Sequence, residues 1–294
     1  MPPEVTRLSA RKLRSYRQRT FRLLPRLRLR SQEEAVQFVN ERGFIHFWPI
    51  TGVTFPSLWA AVAGDRPVAD AHDDPGHVTW RWKDALLGRR LCYYAKVLRS
   101  RATMISLDAA PYFYALSENY GDPESDYLQL YEDGQLSLAA KAIYETLLKE
   151  GPLDTVNLRK AIRMTSQASN SPFERALTEL QRDFKILPVG VAETGAWRYS
   201  FIYDLVHRFY SDLPAQSRPI TRREAREKLL GLYFDSVGAA TFQHARLLFQ
   251  WKAREVESTL ASLVHAGRLV TGGALEGSVD PHYLAAKLMK RNVA

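Results

Sequence analysis

With 294 residues, 46% of them hydrophobic and 25% charged, the chain has the make-up of a folded protein of two or three domains, not of a disordered or fibrous one. Forty-one Lys and Arg against 32 Asp and Glu leave a net charge of +9, so a polyanion is the natural partner. The one cysteine, Cys92, has no partner for a disulfide within the chain and lies in the apolar run Leu91-Cys92-Tyr93-Tyr94, the setting of a buried thiol in a reducing compartment. No run of about 18 apolar residues marks a membrane span. The basic N-terminal residues are not followed by the apolar segment of a signal peptide, so a cytoplasmic protein away from membranes is expected.

Residues 7–30 hold Arg7, Arg11, Lys12, Arg14, Arg17, Arg19, Arg22, Arg26, Arg28 and Arg30 without one acid. The stretch 1–30 therefore reads as a basic arm able to follow a phosphate backbone, with Arg17 and Arg19 among its contacts. Its apolar residues, Leu8, Leu13, Phe21, Leu23, Leu24 and Leu27, would serve equally to dock the arm on the body.

Ser31-Gln32-Glu33-Glu34 opens a helix as a capping box, and Gly43 ends it. The short aromatic run Phe44-Ile45-His46-Phe47-Trp48 follows, then the apolar stretch 55–64, and residues 65–79 read as a loop. Residues 80–84 begin another helix, 91–97 form an apolar segment, and a helix is expected from about Asp108 to Tyr120. The acidic, breaker-rich stretch 121–136 reads as a boundary. Beyond it the order is clear: a helix 138–149, a short helix 156–163 capped by Asp154 or Thr155, a helix 172–182, and two strands joined by Glu193-Thr194-Gly195, the second written Trp197-Arg198-Tyr199-Ser200-Phe201. Three helices and a hairpin are the winged-helix order, whose third helix enters the major groove in DNA-binding examples. Here that helix mixes Glu174, Glu179 and Asp183 with Arg175 and Arg182, so packing and DNA contact both stay open for it. Residues 222–233, 240–248, 253–266 and 269–275 repeat the order.

The expected fold is mainly α with small β-hairpins, an α+β class of tandem winged-helix repeats around a concave surface. Its segments are the arm 1–30, a first winged-helix-like unit 31–136 with an inserted loop, a second unit 137–212, and a third with the C-terminal tail, 213–294.

Three segments then carry a family resemblance: Gly43-Phe44-Ile45-His46-Phe47-Trp48 after the first helix, Leu98-Arg99-Ser100-Arg101-Ala102-Thr103-Met104, and Leu263-Val264-His265-Ala266-Gly267-Arg268-Leu269 in the last repeat. Over most of its length the chain resembles the AlkZ-type tandem winged-helix DNA glycosylases, which excise alkylated and cross-linked purines. The resemblance implies a monomer that binds damaged double-stranded DNA and hydrolyses an N-glycosidic bond with water as nucleophile and no metal or other cofactor. It puts His46 and Trp48 where the family carries its two catalytic glutamines. A histidine can hold or deprotonate water near neutral pH, and a tryptophan can stack on a base or an abasic gap. Equally, both would serve as core aromatics of a site that has lost its chemistry. Arg99, Arg101 and Thr103 match the family's Arg-Gly-Thr segment and are implied phosphate contacts; Arg81 and Lys83, alternating with Trp82, add two more candidates.

No metal is expected of His72-Asp73-Asp74-Pro75-Gly76-His77, because neither Cys pairs nor a His-Glu helix motif accompanies it. Walker, Rossmann and Gly-x-Ser-x-Gly signatures are absent from the sequence. The readings from other classes are a non-catalytic winged-helix DNA-binding protein, acting as lesion sensor or regulator, and a protein-binding scaffold.

Overall fold

Serine hydroxyls at positions 9, 31, 57 and 137 each accept the backbone amide three residues on, at 3.2 Å in every case. Each hydroxyl replaces one of the hydrogen bonds that the first turn of a helix cannot make internally. In the computed structural model, which describes residues 7–117, 119, 121–195, 198–278 and 280–289, these four serines are N-caps. Contacts divide the chain into two compact units, 1–79 with 222–294, and 80–221.

Unit 1 begins with β1 (Arg7–Leu8), α1 (Ala10–Thr20), α2 (Gln32–Arg42), β2 (Phe44–His46) and α3 (Leu58–Ala63). The cap of α2 differs slightly from the expected box: Glu34 accepts the amide of Arg30 at 2.7 Å, one residue before Ser31. Helix α4 (Val78–Leu86) starts at the end of this stretch and continues into unit 2.

Unit 2 continues with the hairpin β3 (Tyr93–Lys96) and β4 (Ala102–Ile105), then α5 (Ala110–Tyr114), α6 (Asp126–Glu132) and α7 (Leu138–Glu150). It ends with β5 (Leu153–Asp154), α8 (Thr155–Ala161), α9 (Asn170–Arg182), β6 (Ile186–Ala192), β7 (Ser200–Leu205), α10 (Val206–Phe209) and α11 (Leu213–Ser217). The sheet order β5-β7-β6 and the preceding helices form a winged helix. Asp154, not Thr155, caps α8 through the amides of Val156 and Asn157. The second hairpin strand begins at Ser200, three residues later than expected; Trp197 lies outside the described residues.

Two sequence readings are corrected in unit 2. The helix expected from 108 to 120 is the single turn and a half of α5. The stretch 121–136, read as a boundary, contributes to the core of this unit: Tyr127 and Leu130 of α6, with Leu136, are buried among Ile143, Tyr144 and Leu147 of α7 and Phe173, Leu177 and Leu180 of α9. Their burial outweighs the breakers around them, because the apolar side chains sit one helical turn apart.

Unit 1 resumes with α12 (Arg222–Val237), β8 (Ala239–Ala240), α13 (Phe242–Phe249), α14 (Ala253–His265), β9 (Leu269–Leu275), β10 (His282–Ala285) and α15 (Ala286–Met289). The sheet order β1-β9-β10-β8 is again that of a winged helix, here extended by β1 pairing parallel to β9. The protein is thus mainly α with small sheets, as expected. The two units cut across the segments 1–30, 31–136, 137–212 and 213–294, since unit 1 joins both ends of the chain. Among the described residues no helix is long and apolar enough to cross a membrane.

The basic arm is not free. Leu8, Leu13 and Phe21 are buried, and α1 lies along the C-terminal end of α12. Tyr16 donates to the carbonyl of Asp235 at 2.7 Å and Thr20 to that of Ser236 at 2.7 Å, while Arg17 donates to those of Val237 and Ala239 at 3.0 and 2.8 Å. The carbonyls of Asp235, Ser236 and Val237 are ones that α12 leaves unpaired at its C-terminus, where a cation is also favoured by the helix dipole, and that of Ala239 belongs to β8 just beyond.

A histidine in unit 1 makes stability pH-dependent. Thr241 caps α13, and its own amide donates to Nδ1 of His244 at 3.2 Å, which requires that nitrogen to be unprotonated. Burial lowers the pKa of His244 below its ordinary 6.5, assisted by His282 and Arg17 and opposed by Asp280. The unfolded chain therefore takes up this proton at a higher pH than the folded one, so stability is full above 6.5 and falls as the pH drops below it. His207 in unit 2, lowered mainly by burial, adds in the same direction. Thermal melts between about pH 7.5 and 5 will show the Tm falling with acid, and His244→Gln, which keeps an acceptor that does not titrate in this range, will flatten the slope. An unchanged slope in that variant would remove His244 as the cause.

Candidate nucleic-acid interface

On α1 the cations divide by helical period. Leu13 faces the body, Arg17 is taken up by the α12 carbonyls, and Arg11, Lys12, Arg14 and Arg19 remain exposed. Arg26 and Arg30 beyond the helix are exposed as well, whereas Arg22 pairs with Glu41 at 2.7 Å. Of the two arm residues singled out from the sequence, Arg19 is thus available to a phosphate. The expectation for Arg17 is corrected, because its donors serve the helix end.

Beside α1 a cleft of about 800 Å³ opens in unit 1. Its apolar wall includes Leu13, Phe21, Leu23, Leu24 and Phe55, and its polar groups include Arg14, Arg17, Gln18, Arg28 and Asp65. The segment before α2 is fixed there by the amide of Leu29, which donates to the carbonyl of Ala61 in α3 at 2.9 Å. Three guanidiniums against one carboxylate give the lining a net positive charge.

His46 and Trp48 are placed next to this cleft but not on its lining. His46 is 1% exposed; its amide donates to the carbonyl of Pro56 at 3.0 Å, and its ring meets that of Phe55 edge-on at 5.4 Å. Phe55 packs in turn on Phe44 and Tyr233 and presents itself to the cleft. Trp48 is half-buried with its ring 5.3 Å from Phe47. The aromatic run is therefore first of all a wall, with Phe55 as its face.

The candidates in unit 2 separate in the same way. Thr103 is fully buried; its hydroxyl accepts the amide of Leu98 at 3.2 Å and donates to the carbonyl of Arg101 at 2.8 Å. It braces the β3–β4 loop, in which Arg99 and Ser100 both hold positive φ, and is corrected as a phosphate contact. Arg101 is exposed at that loop and Arg99 half-buried. On α4, Arg81 is exposed, but Lys83 is 2% exposed within hydrogen-bond reach of Tyr199 and Asp84, both at 2.6 Å, and is corrected likewise. Two residues apart on a helix, the side chains point to different faces.

Helix α9, at the groove-reading position of its winged helix, is occupied within the unit. Gln181 accepts the amide of Lys96 on β3 at 3.1 Å, Glu174 pairs with Lys96 at 3.5 Å, and Glu179 takes the amide and hydroxyl of Ser137. This supports packing over base reading for α9. In the loop 65–79, Asp74 caps a turn and pairs with Arg66 at 2.5 Å, while His77 packs on Trp59. Among the described residues no group of three or more His, Cys, Asp or Glu is arranged to hold a metal.

Sequence reading missed Gln18, Phe55 and Asp65 and counted Arg28 only as one cation of the arm. No spacing links 28 to 65; they share a cleft because Leu29 is bonded to α3.

The family described as AlkZ related matches residues 29–250. Among solved structures, the Streptomyces sahachiroi DNA glycosylase AlkZ superposes with a TM-score of 0.58 at 13% identity, over 96% of this chain and 71% of that one, a likeness that bears on the fold. No curated protein matches. With three-quarters of its length covered by the family match, and with the winged-helix units in place, this chain belongs to the AlkZ-related family.

Proposed function

We propose that the protein is a monomeric, cytoplasmic DNA-repair glycosylase that binds duplex DNA and hydrolyses the N-glycosidic bond of a bulky or cross-linked alkylpurine. The observation that carries this is the arginine-lined cleft of unit 1 beside the exposed cations of α1, in a member of the AlkZ-related family. Arg19, Arg81, Arg99 and Arg101 are the phosphate contacts in this reading. An alkylated purine is already a good leaving group, so the site has to supply position and charge more than strong acid or base. His46 and Trp48 act by building the wall that shapes the cleft. A catalytic histidine must come within reach of its proton, and an imidazole 1% exposed meets Phe55 instead of solvent.

The test is paired. DNA affinity is expected to fall steeply with salt, with a slope of about 0.9 per phosphate neutralised, and an N7-alkylpurine duplex is expected to yield abasic sites. Salt-dependent binding without abasic sites would replace hydrolysis by the second reading, a lesion-binding protein without chemistry, which the burial of His46 favours. Salt-independent affinity would leave the protein-binding scaffold.

A further inference from the structure

Arg28 and Asp65 line the same cleft with opposite charges, and among the described residues neither makes a side-chain hydrogen bond or ion pair, with the other or with any group. Arg28 is held in place all the same. Its neighbour Leu29 is bonded to Ala61, and the guanidinium lies across Gly64, where a Cβ would stand 2.4 Å from Nη2 and 2.9 Å from Cζ. A Cβ there would push this flexible end aside, and the φ of +88° is the stronger reason for glycine at 64. The Nε of Arg28 is buried without a partner. A guanidinium presents five donors, and withdrawing one from water without an acceptor opposes folding. Asp65 follows Gly64 directly and keeps an exposed carboxylate.

A positive and a negative group in one cleft that do not pair with each other fit a ligand that carries both charges. The volume of about 800 Å³ is that of a small-molecule site, and the rings of Phe21 and Phe55 on its wall suit a planar base, above all a cationic one. A purine nucleotide alkylated at N7 has this pattern, a positive ring and a negative phosphate.

We propose that Arg28 and Asp65 are the specificity pair of the cleft: Arg28 holds the phosphate of the damaged nucleotide, and Asp65 selects the positively charged alkylated ring over the neutral one. This rests on the repair reading above and concerns recognition, not hydrolysis. The probes are 7-methylguanosine 5′-monophosphate and guanosine 5′-monophosphate, titrated into the full chain by calorimetry at low salt and mildly acidic pH, where the methylated ring keeps its charge.

The methylated nucleotide is expected to bind roughly fivefold tighter, a factor suited to an exposed charge. Asp65→Asn removes that preference and leaves the unmethylated nucleotide unaffected. Arg28→Gln weakens both nucleotides by about tenfold, the loss of one charge-assisted contact. Both variants must melt with the wild type; if Arg28→Gln does not, Arg28→Lys replaces it and retains part of the affinity. Equal binding of the two nucleotides, a preference that survives Asp65→Asn, or no binding of either overturns the proposal. The two readings fail separately. A wild type that yields abasic sites but binds both nucleotides equally loses only the charge selection. One that prefers the methylated nucleotide but yields no abasic sites loses only the hydrolysis.

Discussion

Lys83→Ala will destabilise unit 2 by about 3–5 kcal/mol, the combined cost of a cavity under packed rings and of a partly buried ion pair broken from one side. The ammonium is enclosed by four rings, Phe201 at 4.3 Å, Trp80 at 5.1 Å, Tyr199 at 5.3 Å and Tyr94 at 5.8 Å from their centroids. It also reaches Asp84 and the hydroxyl of Tyr199, which itself donates to Asp84 at 2.8 Å. One side chain thus ties α4 to β3 and to the strand of the wing. Burial lowers the pKa of Lys83, and the contact with Asp84 partly offsets this. Alanine leaves a void under the rings and a carboxylate that has lost its cation. Lys83→Met keeps the stem against the rings, where a thioether packs well, but leaves Asp84 without its cation just as alanine does, so it should recover only the packing part of the loss, about 1–2 kcal/mol. Denaturant unfolding followed by tryptophan fluorescence measures both. An alanine variant within about 0.5 kcal/mol of wild type would show that the cage contributes nothing. DNA affinity of the folded Met variant should equal that of wild type, because the ammonium never faces solvent.

Gly238→Ala is the second large effect, and it links stability to DNA binding. Gly238 ends α12 with a φ of +75°, and a Cβ there would stand 2.8 and 3.0 Å from two ring carbons of Tyr16 and 3.2 Å from Leu13. The left-handed conformation costs an alanine about 1–2 kcal/mol, and overpacking costs about 1–3 kcal/mol more. Tyr16 cannot yield, since its hydroxyl is bonded to Asp235 and its ring lies in the packed face of α1. Gly267→Ala is the control: φ is +66° but nothing lies within 4 Å of the added Cβ, so only the backbone cost remains. If Gly238→Ala displaces α1, it also displaces Arg11, Arg14 and Arg19, and the salt slope of DNA binding falls with the Tm. Equal melting of the two alanine variants would show that the docking of α1 adds no constraint at Gly238.

What could be read in the sequence was local. The capping box read at Ser31 and the cap read at Asp154 act within four residues, so those two helices start where the sequence puts them, whereas the caps at Ser9 and Ser57 open helices that were not read from the sequence. The helix and strand order of the two complete winged helices rests on apolar period and turn residues, which are local as well. The breaker-rich stretch 121–136 misled because its glycines, proline and acids are counted in sequence, whereas Tyr127 and Leu130 gain their stability from α7 and α9.

The site shows the same division. Composition established the positive charge and its concentration between 7 and 30, and the segment Gly43 to Trp48 established the resemblance at the family's motif. Which cations remain outside was decided only by packing. Arg17 is spent on carbonyls more than 200 residues away, while Lys83 is enclosed by rings from 80, 94, 199 and 201. His46 is covered by Phe55, and Arg28 meets the cleft of Asp65 through one backbone bond to α3. Sequence alone determines charge, caps and periodicity because these depend on neighbours along the chain. Exposure of a charged side chain depends on which distant apolar surfaces close over it, and only the tertiary structure decides that.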